Sequence, residues 1–370
     1  MSSHRSYVRL RRGVVRSRGQ ERPGALELGV EVEGEVVSAI AYPELCGPVG
    51  VGDRVVVNTS AVALGLGTGG AHLIVAVEGG PDTELAGAGR VMKARYTPLQ
   101  AAVESVEVTH RETLEGSGGL DGTPIVAAPL HSIMAVAAAG AVAAGARRVV
   151  YVMTDAAALP GGFSRLVPRL RDAGVLHGWI TTGQAFGGEL EAVTIWSALV
   201  AAVAVLRADV VVVADGPGNL GTDTTWGVGA LGSGHALNAA AALGGRPVAA
   251  LRVSFADPRE RHRVVSHHSL TILDHVCAVP ATVAVPALED EAQRTAVWDA
   301  LRGRGLEDRH QVVEVDGRPA LDELERRGVE VTSMGRRPHD DPAFFLASGA
   351  AGVLAARMAA SSAAWRRAHD

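Results

Sequence analysis

The feature that most constrains this chain is a change of rhythm near Gly122. From there on, short apolar runs alternate with longer stretches of helical periodicity: TPIVAAP (123–129), RRVVYVM (147–153), HGWITT (177–182), ADVVVVA (208–214), RPVAALRVS (246–254) and ATVAVP (281–286). Runs that are apolar at nearly every position have both faces covered, which marks a parallel sheet. The stretches Ile133 to Ala144, Gly162 to Ala173, Gly188 to Leu206, His235 to Leu243 and Ser266 to Val276 read as helices by their periodicity. Right-handed crossovers between such elements give the predicted fold class: α/β, with a doubly wound, mostly parallel sheet in three layers, Rossmann-like. Beyond Pro286 the pattern runs helix (Glu289 to Arg302), strand (His310 to Val315), helix (Ala320 to Arg327), short strand (VEVTSM, 329–334) and a last helix from Pro342 to about Met358.

Upstream the pattern is short and β-like: LELGVEVEGEVVSAIAY, GVGDRVVVN and AHLIVAV, punctuated by Gly, Pro and Asp. A small barrel or sandwich is expected there, with the glycine cluster Gly65–Gly70 as a hairpin needing positive φ. The predicted organisation is an N-terminal arm (1–13), a β-rich barrel-like domain (14–110), a linker (111–121), the parallel α/β domain (122–286) and a C-terminal extension or cap (287–370). A chain of 370 residues is long enough for two or three domains.

Composition removes several function classes. Only Cys46 and Cys277 are present, in no C-x-x-C spacing, which argues against a disulfide framework or a structural zinc site and for a cytoplasmic location. The N-terminal arginines precede no apolar stretch of a secretory signal. The run Ala192 to Leu206 is short of the roughly 20 residues that cross a bilayer, so no membrane segment is expected. With net charge −5, Lys93 as the only lysine, scattered arginines and 4% aromatics, there is neither an electrostatic footprint nor a stacking platform for nucleic acid.

In an open α/β sheet, ligands bind beyond the carboxyl ends of the strands. Those ends carry Pro129-Leu-His131-Ser132, Thr154-Asp155, the stretch from Thr181 through Gln184 to Glu189 and Glu191, Asp215 to Thr225, and Ser254 through Asp257, Arg259, Arg261 and His262 to His267 and His268. The strand beginnings carry nothing comparable. Gly216, Gly218 and Gly221 have the G-x-G-x-x-G spacing of dinucleotide-binding loops, but no helix opens at the third glycine. NAD is therefore not expected; a phosphate or carboxylate cradled by the loop's amides, with Thr222, is. The plain alternative is a glycine turn.

His131, Asp155, His262 and His267 invite a divalent metal, although His267 and His268 point about 100° apart on a helix and seldom face one ion. Otherwise His131, Asp155, His267 and His268 are candidates for acid–base work. Arg259 and Arg261 after Asp257 could grip an anion, or simply make surface ion pairs. Glu189 and His262 are further ligand-binding candidates, although Glu189 and Glu191 at a helix start favour capping for at least one of them. Ser132 lacks the G-x-S-x-G elbow of a serine hydrolase.

The strings AFGGELEA (185–192), GPGNLGT (216–222), SFADPRERH (254–262) and SHHSLT (266–271), with GLGTGGAH near the N-terminus, resemble a bacterial family classed only as a domain of unknown function. The resemblance covers nearly the whole chain and implies no activity, substrate or cofactor. It implies His where Gln184 stands and Asp where Glu189 stands, so a ligand role does not carry over to position 184. The residues themselves point to an enzyme, of hydrolase or transferase type, acting on a small anionic substrate, with phosphorylated compounds among the candidates. A non-catalytic metabolite sensor and an NAD-dependent oxidoreductase are the alternatives, and self-association into a homo-oligomer stays open.

Overall fold

A computed structural model describes residues 7–66, 69–85, 87, 89–222 and 224–369, side chains excepted from residue 362. The chain forms two compact units. One holds the residues up to Val103 together with Pro160–Arg165, and the other holds Glu104–Leu159 and everything from Leu166.

The first unit contains a closed five-stranded barrel. Its strands are β1 (Leu10–Arg22), β2 (Ala25–Val32), β3 (Glu35–Ala41), β4 (Arg54–Asn58) and β5 (His72–Val77), in the order β1-β2-β3-β5-β4. Alternate residues point inward, so Val15, Leu28, Val30, Ala39, Val55, Val57 and Ile74 fill the barrel. The first strand starts at Leu10, inside the stretch read above as a free arm. Gly67 and Thr68 of the predicted glycine hairpin lie outside the described residues, while Gly65, Gly69 and Gly70 do have positive φ. A two-stranded ribbon, β6 (Val91–Lys93) with β7 (Ala101–Val103), completes the unit.

The second unit is an eight-stranded, all-parallel sheet made of β8 (Pro124–Ala127), β9 (Val149–Thr154), β10 (Gly178–Thr181), β11 (Leu190–Glu191), β12 (Val210–Asp215), β13 (Arg246–Ala250), β16 (Thr282–Pro286) and β17 (Gln311–Val315). A short antiparallel hairpin, β14 (Val253–Ser254) with β15 (Val264–Val265), follows β13. The order across the sheet is β11-β10-β9-β12-β8-β13-β16-β17. Along β12, Val210, Val212 and Ala214 enter one core and Val211 and Val213 the other, so both faces are packed. The helices His131–Ala143, Leu166–Asp172, Arg318–Arg326 and Pro342–His369 supply the first core. The helices Ile195–Ala204, Gly232–Ala242, His267–Thr271 and Glu291–Arg302 supply the second. This is the expected three-layer α/β architecture, doubly wound in that both faces carry helices.

The dinucleotide-binding strand order is not reproduced: β12 lies between β8 and β9, where the Rossmann order would keep the first and second strands adjacent. Gly188 to Val193 is not helical. Glu191 is buried and accepts hydrogen bonds from the N–H groups of Gly187 and Gly188 and from Thr181, and the helix begins only at Ile195, where Thr194 and Ser197 form a capping box. The segment 329–334 is not a strand either. Val329 and Val331 alternate into the core, but the segment has no neighbouring strand and ends in a turn with positive φ at Met334 and Gly335. The predicted linker contains a helix, Arg111–Glu115, and its Leu120 is fully buried.

The stretch Pro342–Ser361 has the length and apolar character of a membrane span, but 72% of it is buried inside the protein. Gly140 faces Gly349, and a Cβ at Gly352 would overlap the backbone at Ala137, so this helix and His131–Ala143 cross at backbone contact.

Candidate functional site

The strands β8 and β12 are neighbours whose following helices pack on opposite faces of the sheet. Such a switch point opens a crevice at the carboxyl ends of the two strands. Asn219, in the loop after β12, ties the two strand ends together through Nδ2, which donates to Pro129 O at 3.0 Å. His131 Nδ1 lies 3.2 Å from the Tyr151 hydroxyl and 3.3 Å from Asp215 O. Burial pushes the His131 pKa down to about 4, so the ring is neutral at physiological pH. Asp215 is buried and accepts a hydrogen bond from Thr154; burial pushes its carboxyl above the ordinary range.

The three glycines of the loop have different reasons to be glycine. A Cβ at Gly216 would strike Ala158 O and Met153 Cε, both at 2.7 Å, so this residue is a packing glycine. Gly218 has φ +87°, a turn conformation. At Gly221 a Cβ would lie 3.9 Å from His268 Cε1, which places the end of the loop against the histidines that follow β13. Thr222 bonds Thr224 and Gly227 O and closes the loop on itself. As expected, no helix starts at Gly221; the next one begins at Gly232.

The richest chemistry follows β13. There the β14–β15 hairpin brings the short helical turn at His262 back beside Ser266 and the helix His267–Thr271. Asp257, nearly inaccessible to solvent, is ringed by guanidinium groups: Arg252 at 2.9 Å, Arg259 at 2.9 Å and Arg336 at 3.4 Å. Arg336 also reaches Asp341 at 3.1 Å, and Asp341 accepts from Ser254 at 2.7 Å. Burial alone would raise the Asp257 carboxyl, but hydrogen bonds from Arg259 and the charges of Arg259 and Arg252 hold it well below its usual range. Burial outweighs the neighbouring carboxylate at Arg252, whose pKa falls to about 10.

Beside this network, His262, His267 and His268 each offer a ring nitrogen, and all three nitrogens lie within 4.8 Å of one another. The His262 Nδ1 is 2.8 Å from Ser266 Oγ, and the same oxygen accepts from the backbone N–H of His268. The His268 Nε2 is buried without a hydrogen-bond partner. Burial first, and then the Arg252 and Arg259 charges, push His262 down to about 3. Burial, His267 and the charges of Arg252, Arg261 and Arg259 push His268 down to about 4. The helix continues as a π-helical turn, Ile272–Val276, a distortion common at functional sites.

The structure thus sorts the predicted residues. His262, His267 and His268 converge, and the expectation that adjacent His267 and His268 would not share a focus is corrected: they stand at the very start of a helix, with ring centroids 4.0 Å apart. Asp155 and His131 are not in this group. Asp155 is exposed and accepts from the Gln184 N–H at 2.7 Å. Glu189 pairs with Arg171 at the surface and caps no helix, a second correction. The Arg259 fork is already seated on Asp257 through Nε and Nη2. Ser132 meets Ser333 at 3.0 Å. Sequence reasoning missed Arg252 and Tyr151. The signal for Arg252 was available, as a lone cation inside an apolar run is a buried charge that needs a partner.

A cleft of about 550 Å3 opens at this end of the sheet, lined by Phe255, Leu288, Glu289, Arg318, Asp341 and Leu346 among others. It shares Asp341 with the charge network and has the size of a small-molecule site.

No curated protein and no solved structure matches the chain. Over residues 38–352 the sequence matches a family described as protein of unknown function, and the chain accordingly belongs to that family, DUF3866.

Proposed function

We propose that the chain is an enzyme of hydrolase or transferase type acting on a small anionic substrate at the carboxyl end of the parallel sheet. The observation that carries this reading is the charge balance after β13. Three guanidinium groups, those of Arg252, Arg259 and Arg336, converge on Asp257, and the charges of Arg252, Arg259 and Arg261 bear on imidazoles held neutral. Clustered guanidinium groups in a shielded site attract a phosphate or carboxylate and offer it bidentate partners. The loop Gly216–Gly221 borders the same imidazoles and supplies backbone amides, and the cleft beside Asp341 gives the uncharged part of the substrate room. Neutral imidazoles at such a place each offer the substrate one hydrogen-bond donor and one acceptor.

Thermal-shift measurements with inorganic phosphate, phosphorylated metabolites and small dicarboxylates, against neutral sugars, test the reading. An anion at about 100 times its dissociation constant adds roughly 2.7 kcal/mol, a rise of a few degrees in Tm. Arg261→Ala should remove that rise. No response to any anion would sink the proposal, whereas binding without turnover would make the protein a metabolite sensor.

A further inference from the structure

We infer that His262, His267 and His268 form a three-imidazole site for a divalent transition metal, zinc above all, and that an anion in the open coordination position completes it. The geometry comes first. Three nitrogens within 4.8 Å of one another need only small ring rotations to reach the separation of about 3.3 Å set by tetrahedral bonds of about 2.0–2.1 Å. The second observation is the buried His268 Nε2: the residue is 7% exposed, and this nitrogen has no hydrogen-bond partner. A buried polar atom left alone is costly, and a metal ion would satisfy it. The third is the orientation of His262, whose Nδ1 is engaged by Ser266 and whose Nε2 is thereby left to the ion. Metal-binding imidazoles are characteristically fixed in this way through their other nitrogen.

Three protein ligands leave a zinc ion with an open position, the pattern of catalytic rather than structural sites. The surroundings then dictate a coupling. A dication bound beside the guanidinium groups of Arg252, Arg259 and Arg261 adds a positive surplus of its own there. An anion on the metal relieves that surplus, so metal and anion each tighten the binding of the other, as linkage requires. The coupling rests on the anionic-substrate reading; the metal site stands on its own geometry.

The test is a Co2+ titration of the full-length, chelator-stripped protein. It is read by the visible d–d band and by metal content, with and without inorganic phosphate. A single tightly held ion is expected, lost in His262→Ala and in His268→Gln, and held at least about tenfold more weakly in Ser266→Ala. Circular dichroism establishes that each variant is folded, and His268→Gln, which keeps the volume of the ring, guards against mere collapse of the site. Phosphate should tighten Co2+ binding about tenfold or more, and Arg261→Ala should erase that effect while retaining the metal. If the protein takes up no more Co2+ than His262→Ala, the metal site is refuted, even where phosphate still raises the Tm. If Co2+ binds equally with and without phosphate, the coupling is refuted. If phosphate also fails to raise the Tm of the metal-free protein, the anionic-substrate reading falls with it.

Discussion

Ser266 accepts from the His268 N–H at 3.3 Å and stands 2.8 Å from His262 Nδ1, so one hydroxyl both caps a helix and orients a ring. Ser266→Ala should therefore cost about 1 kcal/mol in a urea unfolding series, the usual loss for an N-cap, and Ser266→Thr should recover most of it. Asp257 is a stronger case. With its carboxylate enclosed and shared among Arg252, Arg259 and Arg336, Asp257→Asn leaves Arg252 buried beside an uncharged amide. A loss of about 3–5 kcal/mol is expected from breaking such a pair, and a change below about 1 kcal/mol would show that the network does not stabilise the fold. At this scale the sequence was legible in kind but not in grouping. His262, Asp257 and Arg259 stood out as polar residues after an apolar run, yet nothing in their spacing says that a hairpin folds His262 back onto Ser266. Arg336 and Asp341 come from a turn about eighty residues further on, and only the tertiary fold brings them to Asp257.

Among the elements, the parallel strands were readable because their apolar runs are unbroken, and each of the six falls on an observed strand. The elements that misled share a cause: local periodicity was satisfied by something other than the element it imitates. Val329 and Val331 alternate like a strand but have no strand beside them, and Glu189 to Val193 imitates a first helical turn while Glu191 gathers backbone N–H groups instead. Strand order was not legible at all, since the insertion of β12 between β8 and β9 leaves no mark on the helices that connect them. Two packing features give tests. The helices His131–Ala143 and Pro342–His369 meet at Gly140, Gly349 and Gly352, so Gly352→Leu should destabilise by at least about 1–3 kcal/mol through overpacking, measured by denaturant unfolding. Val264, with φ +61°, is a β-branched residue held in the left-handed region at the start of β15, between His262 and Ser266. That conformation costs on the order of 1–3 kcal/mol, so Val264→Gly should not lower the Tm. A clear fall would show the strain to be absent.

For the molecule as a whole, pH dependence follows from histidines that are neutral when folded. His131, His262 and His268 have folded pKa values of about 4, 3 and 4, against about 6.5 in an unfolded chain. The unfolded state therefore binds more protons at acid pH, and stability falls as pH drops from about 6.5 toward 4, by at most roughly 3 kcal/mol for His131 alone. Melting temperature between pH 7.5 and 4.5 should decline more steeply in the parent than in His131→Gln. The barrel has a different electrostatic character. Its cations are paired with nearby carboxylates, Arg9 and Arg11 with Glu33, Arg12 and Arg54 with Glu78, Arg16 with Glu31, Arg22 with Glu27, so the chain's arginine bias is spent locally there. Arg22 also donates to Gly162 O at 2.7 Å from a buried position, and Gly162 is made about 85 residues after the last barrel strand, which ends at Val77. The chain thus crosses from one unit to the other at three points, after Val103, before Pro160 and after Arg165. A ribosome must deliver strands β8 and β9 of the second unit before the first has all its parts, and a gene cut after residue 103 would take from the buried Arg22 the carbonyl of Gly162. Neither unit is one continuous stretch of chain, so no single cut releases either of them whole.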